Sequence, residues 1–155
     1  MLDLARVKLT EAGVLHRVEM VPGALSSLDA TPSFDAAIMI GVLHHLPGDE
    51  AKQEILAQIA RRLKPGSPLI IAGNYRTYAS QPLLMAAWAN RWRMAGAEPE
   101  EIQAKMNKIL QGAEPPKSEE AVFALIAESG FEQPIRFFAS LLWGARLTRL
   151  APELK

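Results

Sequence analysis

The sequence of 155 residues contains no cysteine. Disulfide bonds, zinc sites built from thiolates and cysteine nucleophiles are therefore excluded, and a reducing compartment, the cytoplasm, is the default expectation. An excess of one charge is missing too, because 17 basic side chains balance 17 acidic ones. A chain without net charge gives no electrostatic support for binding nucleic acid or an anionic membrane surface.

Long apolar runs are also missing from the sequence. The longest, Ala36 to Leu43, is far shorter than the roughly 20 residues that cross a bilayer. The N-terminus shows no basic-then-apolar order of a secretion signal, so we expect no membrane segment. With 49% hydrophobic residues, the chain suits one core, and we expect a single domain over residues 1–155.

What is present is an alternation of helix and strand signals, which is typical of an α/β fold with a largely parallel sheet. A first helix ends at Gly13, and a short strand is predicted at 17–21. The next strand, near 36–43, is apolar on both faces, as central parallel strands are. A helix follows whose predicted buried stripe consists of Ala51, Ile55, Ile59 and Leu63.

The second half of the chain repeats this alternation. A buried strand is predicted at 68–74, and residues 81–117 show helical patterns, the second of them at 100–111. Ser118 can cap a further helix. Two final strands, near 135–139 and 142–150, are most simply paired antiparallel.

Three segments in this order resemble one family, the class I S-adenosylmethionine (SAM)-dependent methyltransferases. They read FDAAIMIGVLHHLP, IARRLKPGSPLIIAG and IAESGFEQPIRFF. The resemblance implies a Rossmann-like sheet with helices on both faces, in which the family's strand four is followed by strands five, seven and six. It also implies SAM as cofactor, a small-molecule methyl acceptor, and a lid-like helical insertion at 81–117.

The family's opening features are not in this sequence. These are a first strand, a glycine-rich turn, and a second strand ending in an acid that binds ribose. The resemblance therefore implies a truncated domain, without strands one and two, that begins inside a helix. Three alternatives would close the resulting gap: strand 17–21 moves beside the strand at 36–43, another chain pairs there as a homodimer or by strand exchange, or residues upstream of Met1 fill it.

Six residues are candidates for contact with the cofactor. The resemblance places the end of the strand at 36–43 and the following turn beside it, and residues after the preceding strand near its adenine. Where the family often has Gly-Asp-Ala, this chain lacks the acid, so recognition there would depend on backbone groups and apolar contact. The set is Gly23, Ala24, Leu25, Ile40, Gly41 and His45. Gly41 also fits a close approach of backbone or ligand at a strand end, or simple packing beneath a helix.

Four residues are candidates for contact with the methyl acceptor. Asn74, Tyr75 and Arg76 leave a strand at the carboxyl edge of the sheet, where open α/β sheets place their ligands. Trp88 lies on the lid-like segment. Alternatively, Asn74, Tyr75 and Arg76 are ordinary polar residues of a loop. Trp88 fits the hydrophobic face of a core helix equally well.

The adjacent histidines His44 and His45 predict no metal site. The only other histidine is His16, and adjacent side chains rarely converge on one ion. No catalytic residue is assigned, because methyl transfer is an in-line displacement in which positioning supplies much of the catalysis.

Two alternatives concern the function itself. A fainter similarity to carboxy-SAM synthases exists, but Lys105 and Met106 stand where those enzymes use a lid arginine, which favours methyl transfer. The alternative from another class is a non-catalytic methyltransferase-like relic that dimerises or binds a partner through its open sheet.

Overall fold

The computed structural model describes residues 2–152. The helices in this range are α1 (Leu2–Glu11), α2 (Gly48–Ala60), α3 (Pro82–Met94), α4 (Pro99–Gly112) and α5 (Glu119–Glu128). The strands are β1 (Ala37–Ile40), β2 (Pro68–Asn74), β3 (Ile135–Ser140) and β4 (Trp143–Arg149). None of these helices is long and apolar enough to cross a membrane.

The four strands form one mixed sheet in the order β1-β2-β4-β3. β1 runs parallel to β2, with Ala37 opposite Leu69, and β4 is antiparallel to both β2 and β3. This is the order four, five, seven, six that the resemblance implies. The predicted α/β class and the C-terminal antiparallel pair are both confirmed.

The main core lies where α2 and α5 pack on the sheet. Leu56 of α2 and Ile126 of α5 are fully buried, and they share one cluster with Leu69 and Ile71 of β2. α5 is fixed at its start by Ser118, whose hydroxyl accepts a hydrogen bond from the backbone N–H of Ala121 at 3.2 Å. Such a cap satisfies one of the free N–H groups at a helix start.

A buried ion pair joins α5 to β4. The guanidinium of Arg146, a residue only 2% exposed, donates to Glu119 at 3.0 Å and stacks over the ring of Tyr75 at 4.7 Å. Glu119 also accepts from Arg136 of β3 at 2.7 Å. Burial lowers the pKa of Arg146, and the neighbouring Glu119 carboxylate opposes that shift. The pair holds the first turn of α5 against the sheet.

The buried face of α2 differs from the predicted stripe. Lys52 and Leu56 are almost completely buried, whereas Ile55 and Ile59 are only partly buried and line a groove beside β1. Lys52 is tolerated there because its ammonium donates to the carbonyls of Leu46 and Gly48, both at 2.8 Å. Of the predicted stripe, Leu63 is 1% exposed in the main core, and Ile55 and Ile59 also pack against that core.

The predicted strand at 17–21 is wrong. The chain forms a 3₁₀ turn at Leu15–Arg17 and then runs without regular structure to another turn at Leu25–Ser27. A strand needs a neighbour for its backbone groups, and among residues 2–152 no strand pairs with the outer edge of β1. β1 is consequently an edge strand rather than a central one, and Ile38 and Ile40 are 67% and 61% exposed.

Candidate functional site

A cavity of about 500 Å³ opens at the carboxyl ends of β1 and β2. The turn after β1 forms one wall, α3 and α4 form the opposite wall, and the first residue of β4 completes it. The lining residues are His44, His45, Asn74, Tyr78, Trp88, Lys108, Ile109, Gly112, Ala113 and Trp143. This is the edge at which open α/β sheets bind their ligands.

The turn after β1 depends on Gly41. Its φ angle of +72° lies in the left-handed region that favours glycine, and its N–H donates to the carbonyl of Ala72 at 2.8 Å. A Cβ at Gly41 would lie 3.5 Å from the Trp143 ring. The chain then forms the 3₁₀ turn Leu43–His45, which directs both histidines to the cavity.

His44 is the buried histidine of the site. It is 5% exposed, and burial lowers its pKa to about 4, so the imidazole is neutral near pH 7. A Cβ at Gly73 would lie 3.2 Å from Nδ1 of His44, so the glycine makes room for the ring. Nδ1 itself is buried and has no hydrogen-bond partner among the described residues.

The sequence interpretation treated His44 only as part of a family signature. The sequence signal for His44 was a polar residue shortly after an apolar strand. Its burial, which gives the neutral imidazole, depends on contacts with Gly73 and Trp143 from other strands.

His45 and Glu114 tie the end of α4 to the histidine turn. Nδ1 of His45 lies 3.0 Å from the carbonyl oxygen of Gly112. The N–H of Glu114 donates to the carbonyl of His44 at 2.7 Å, and its carboxylate accepts from the N–H of Gly48 at 3.1 Å. These bonds fix α4 over the turn and so define the depth of the cavity.

Asn74 and Tyr78 form an uncharged polar pair in the cavity wall. Nδ2 of Asn74 donates to the hydroxyl of Tyr78, and Oδ1 of Asn74 is buried without a partner among the described residues. Burial raises the pKa of Tyr78, so its hydroxyl stays protonated. Together with neutral His44, the pair offers hydrogen-bonding groups without a formal charge.

The predicted site residues separate into groups in the structure. His45, Asn74 and Trp88 line the cavity, and Gly41 lies next to it. Tyr75 and Arg76 do not line it. Tyr75 is 6% exposed within the main core, and the guanidinium carbons of Arg76 and Arg146 lie 5.3 Å and 4.7 Å from the centroid of its ring. We therefore leave Tyr75 and Arg76 out of the proposed acceptor site.

Ile40 and Leu25 line a second groove of about 500 Å³ along the open edge of β1. Its walls are apolar except for Arg62, whose guanidinium donates to the carbonyl of Leu28 at 2.6 Å and thus holds the loop in place. Gly23, with a φ angle of +129°, and Ala24 directly precede the Leu25–Ser27 turn. Of the candidate cofactor residues, Leu25 and Ile40 therefore line the open side of β1, whereas His45 lines the cavity at the carboxyl edge.

The histidines have no further metal-binding partners in the part of the chain that the structure describes. No group of three His, Cys, Asp or Glu side chains lies close enough there to hold an ion.

The mixed sheet, its strand order and a cavity at its carboxyl edge together define a methyltransferase-like α/β class. Residues 1–69 match the family model described as a methyltransferase domain. No curated protein matches the sequence. The resemblance to class I SAM-dependent methyltransferases is thus confirmed, whereas the fainter similarity to carboxy-SAM synthases finds no support.

Solved structures with the same fold include three methyltransferases. An O-methyltransferase family 2 protein from Planctomyces limnophilus, in complex with apigenin, is 18% identical with a TM-score of 0.69, covering 97% of this chain and 40% of that chain. Human N-acetylserotonin methyltransferase in complex with SAM is 18% identical with a TM-score of 0.60, covering 88% of this chain and 34% of that chain. A mitomycin 7-O-methyltransferase is 25% identical with a TM-score of 0.60, covering 94% of this chain and 38% of that chain.

The chain spans at most about half the length of the structures it resembles. The shares covered run from 34% of the human enzyme to 50% of a protein from Bordetella parapertussis. The matches cover 88–98% of this chain, and they therefore concern one part of those longer proteins.

Proposed function

We propose that this chain supplies the acceptor side of a SAM-dependent methyltransferase that acts on a small molecule. The observation that carries the proposal is the cavity at the carboxyl ends of β1 and β2, walled by aromatic rings and by neutral His44, Asn74 and Tyr78. The methyltransferase-domain match over residues 1–69 and the O-methyltransferases among the structural neighbours support the same reading.

The cofactor would lie along the open side of β1, against Ile40 and Gly41 and beside Gly23, Ala24 and Leu25. Exposed Ile40 and the apolar groove fit contact with an adenine ring, and Gly41 allows backbone to approach closely. None of these residues is an acid that could hold ribose hydroxyls. The fit is therefore partial, and His45 at the cavity is the further contact we propose.

SAM would supply an activated methyl group. The residues of this chain would hold the acceptor, and the proton of its hydroxyl would pass to solvent. Asn74 and Tyr78 can orient a hydroxyl by hydrogen bonds, and Trp88 and Trp143 can hold a ring. We propose neutral His44 as a further hydrogen-bonding group for that hydroxyl, because burial lowers its pKa to about 4 and leaves one ring nitrogen unprotonated near pH 7. Holding the acceptor in line would supply much of the rate.

Titration of the tryptophan fluorescence tests the cavity. Apigenin, the molecule bound to the Planctomyces protein, should quench the fluorescence of this chain, because Trp88 and Trp143 line the cavity. Asn74→Ala should weaken that binding, whereas Asn90→Ala on the exposed side of α3 serves as the control. Equal binding by both variants would contradict the proposed role of Asn74.

Calorimetric titration with SAM tests the cofactor part and separates the second candidate function. The open edge of β1 and exposed Ile38 favour a non-catalytic relic that dimerises there. Micromolar SAM binding by this chain would contradict the relic. If binding is absent and is recovered in a form extended by residues encoded upstream of Met1, the methyltransferase proposal holds. A dimer that binds no SAM even when extended would favour the relic.

A further inference from the structure

The lining of the acceptor cavity contains a positively charged side chain and no negatively charged one. Apart from its two histidines, the only ionisable lining groups are Lys108 and the hydroxyl of Tyr78, and the lining contains no carboxylate. Burial keeps Tyr78 protonated and His44 neutral near pH 7. Lys108 therefore supplies a positive charge at this cavity without a negative group in the wall to balance it.

Lys108 also has no ion-pair partner within residues 2–152. Lys105, about one turn earlier in α4, pairs with Glu101 at 2.6 Å. The carboxylate of Glu114 accepts from the N–H of Gly48 at 3.1 Å and is not part of the lining. The charge of Lys108 is thus available to a ligand.

A neighbouring cavity of about 270 Å³ repeats this arrangement. Trp88 and Trp143 line it as well, and its one charged lining residue is Arg91 of α3. No ion pair involving Arg91 occurs in the described part of the chain. Each of the two cavities that share these indole rings therefore has one cation in its lining. Clefts lined by charge of one sign concentrate ligands of the opposite sign.

We infer that the acceptor is an aromatic compound that carries an ionised acidic group as well as its hydroxyl. The ring lies against Trp88 and Trp143, and Lys108 holds the anionic group. This makes Lys108 a specificity-determining residue. The inference rests on the proposed function, because it takes this cavity as the acceptor site.

Two matched probes test the inference on the 155-residue chain. 4-Hydroxybenzoate and its methyl ester have the same ring and hydroxyl, but only the former is charged at about pH 7. Fluorescence titrations at low salt should show the carboxylate binding about three- to five-fold tighter, as expected for a partly exposed ion pair. Added salt should reduce the preference.

Lys108→Gln should abolish the preference, because it weakens binding of the carboxylate much more than binding of the ester. Lys117→Gln, an exposed lysine outside the lining, should retain it and serves as the matched control. Equal binding of both probes, or a preference that survives in Lys108→Gln, overturns the inference and leaves the cavity as the acceptor site. Absence of quenching by apigenin and by either probe overturns the proposed acceptor site as well.

Discussion

The two sides of α2 illustrate how differently the same kinds of residue behave in this molecule. Toward α5 and β2, Leu56, Leu69 and Ile126 are completely buried. Toward the outer edge of β1, Ile38 and Ile40 remain 67% and 61% exposed, although they are just as apolar. Burial is therefore decided by the presence of a packing partner, and stability should depend almost entirely on the α5 side.

Leu56→Ala should produce the largest loss. Removing a completely buried leucine costs the transfer free energy and leaves a cavity, together about 4 kcal/mol in the free energy of unfolding. Urea unfolding measures it, with exposed Leu83→Ala as control. A loss below about 1 kcal/mol would mean that the α2–α5 interface is not the main core.

Glu119→Ala should follow with a loss of about 3 kcal/mol, because it leaves the buried guanidinium of Arg146 without its carboxylate. Glu101→Ala removes an exposed pair with Lys105 and should cost no more than about 0.5 kcal/mol. The same unfolding experiment compares them. Equal effects would show that Arg146 is solvated rather than buried.

His44 should make stability depend on pH. Its pKa is lowered by burial from 6.5 to about 4, so below pH 6.5 the unfolded chain binds a proton that the folded chain does not. Stability should fall as the pH drops from 6.5 toward 4, by about 3 kcal/mol, and this contribution should level off below pH 4.

His44→Asn should flatten that part of the pH profile of the free energy of unfolding. Because carboxyl groups titrate in the same range, the effect is taken as the difference between the profiles of the variant and the parent chain. His16→Asn, at an exposed position, should leave the profile as it is. An unchanged slope in His44→Asn would mean that the imidazole is solvated.

Ile38→Ala should have the smallest effect, within about 0.5 kcal/mol, because a side chain that is 67% exposed has little burial to lose. The monomeric chain at low concentration gives this value. A loss of 2 kcal/mol or more, particularly one that depends on protein concentration, would show that a second copy covers the edge of β1.

Most of the fold could be predicted from the sequence. Apolar runs bounded by Pro and Gly placed β1 and β2, and Ser118 marked the start of α5. The strand at 17–21 could not be judged in this way, because a short apolar run becomes a strand only beside a partner. The stripe of α2 was predicted in part: Leu63 is buried, but Lys52 and Leu56 are more completely buried than Ile55 and Ile59. The position of α5 determines which side of the helix is covered.

Only part of the candidate site could be predicted from the sequence. Asn74 and His45 were identified because they follow strands at the carboxyl edge, and Trp88 because it lies on a lid-like segment, and all three line the cavity. Tyr75 follows the same strand as Asn74 but points to the opposite side, into the core. Lys108 and Tyr78 gave no local signal, since their role depends on how α3 and α4 fold back over β2.

The sequence by itself determined the order of helices and strands, the family resemblance and the absence of thiol chemistry, because each depends on local pattern or composition. Tertiary structure alone decided that His44 is buried and neutral, that Tyr75 belongs to the core, and that β1 is an edge. Each of these depends on atoms from distant segments: Gly73 and Trp143 around His44, and Arg146 over Tyr75. Burial and charge arise from such neighbours, which no local pattern specifies.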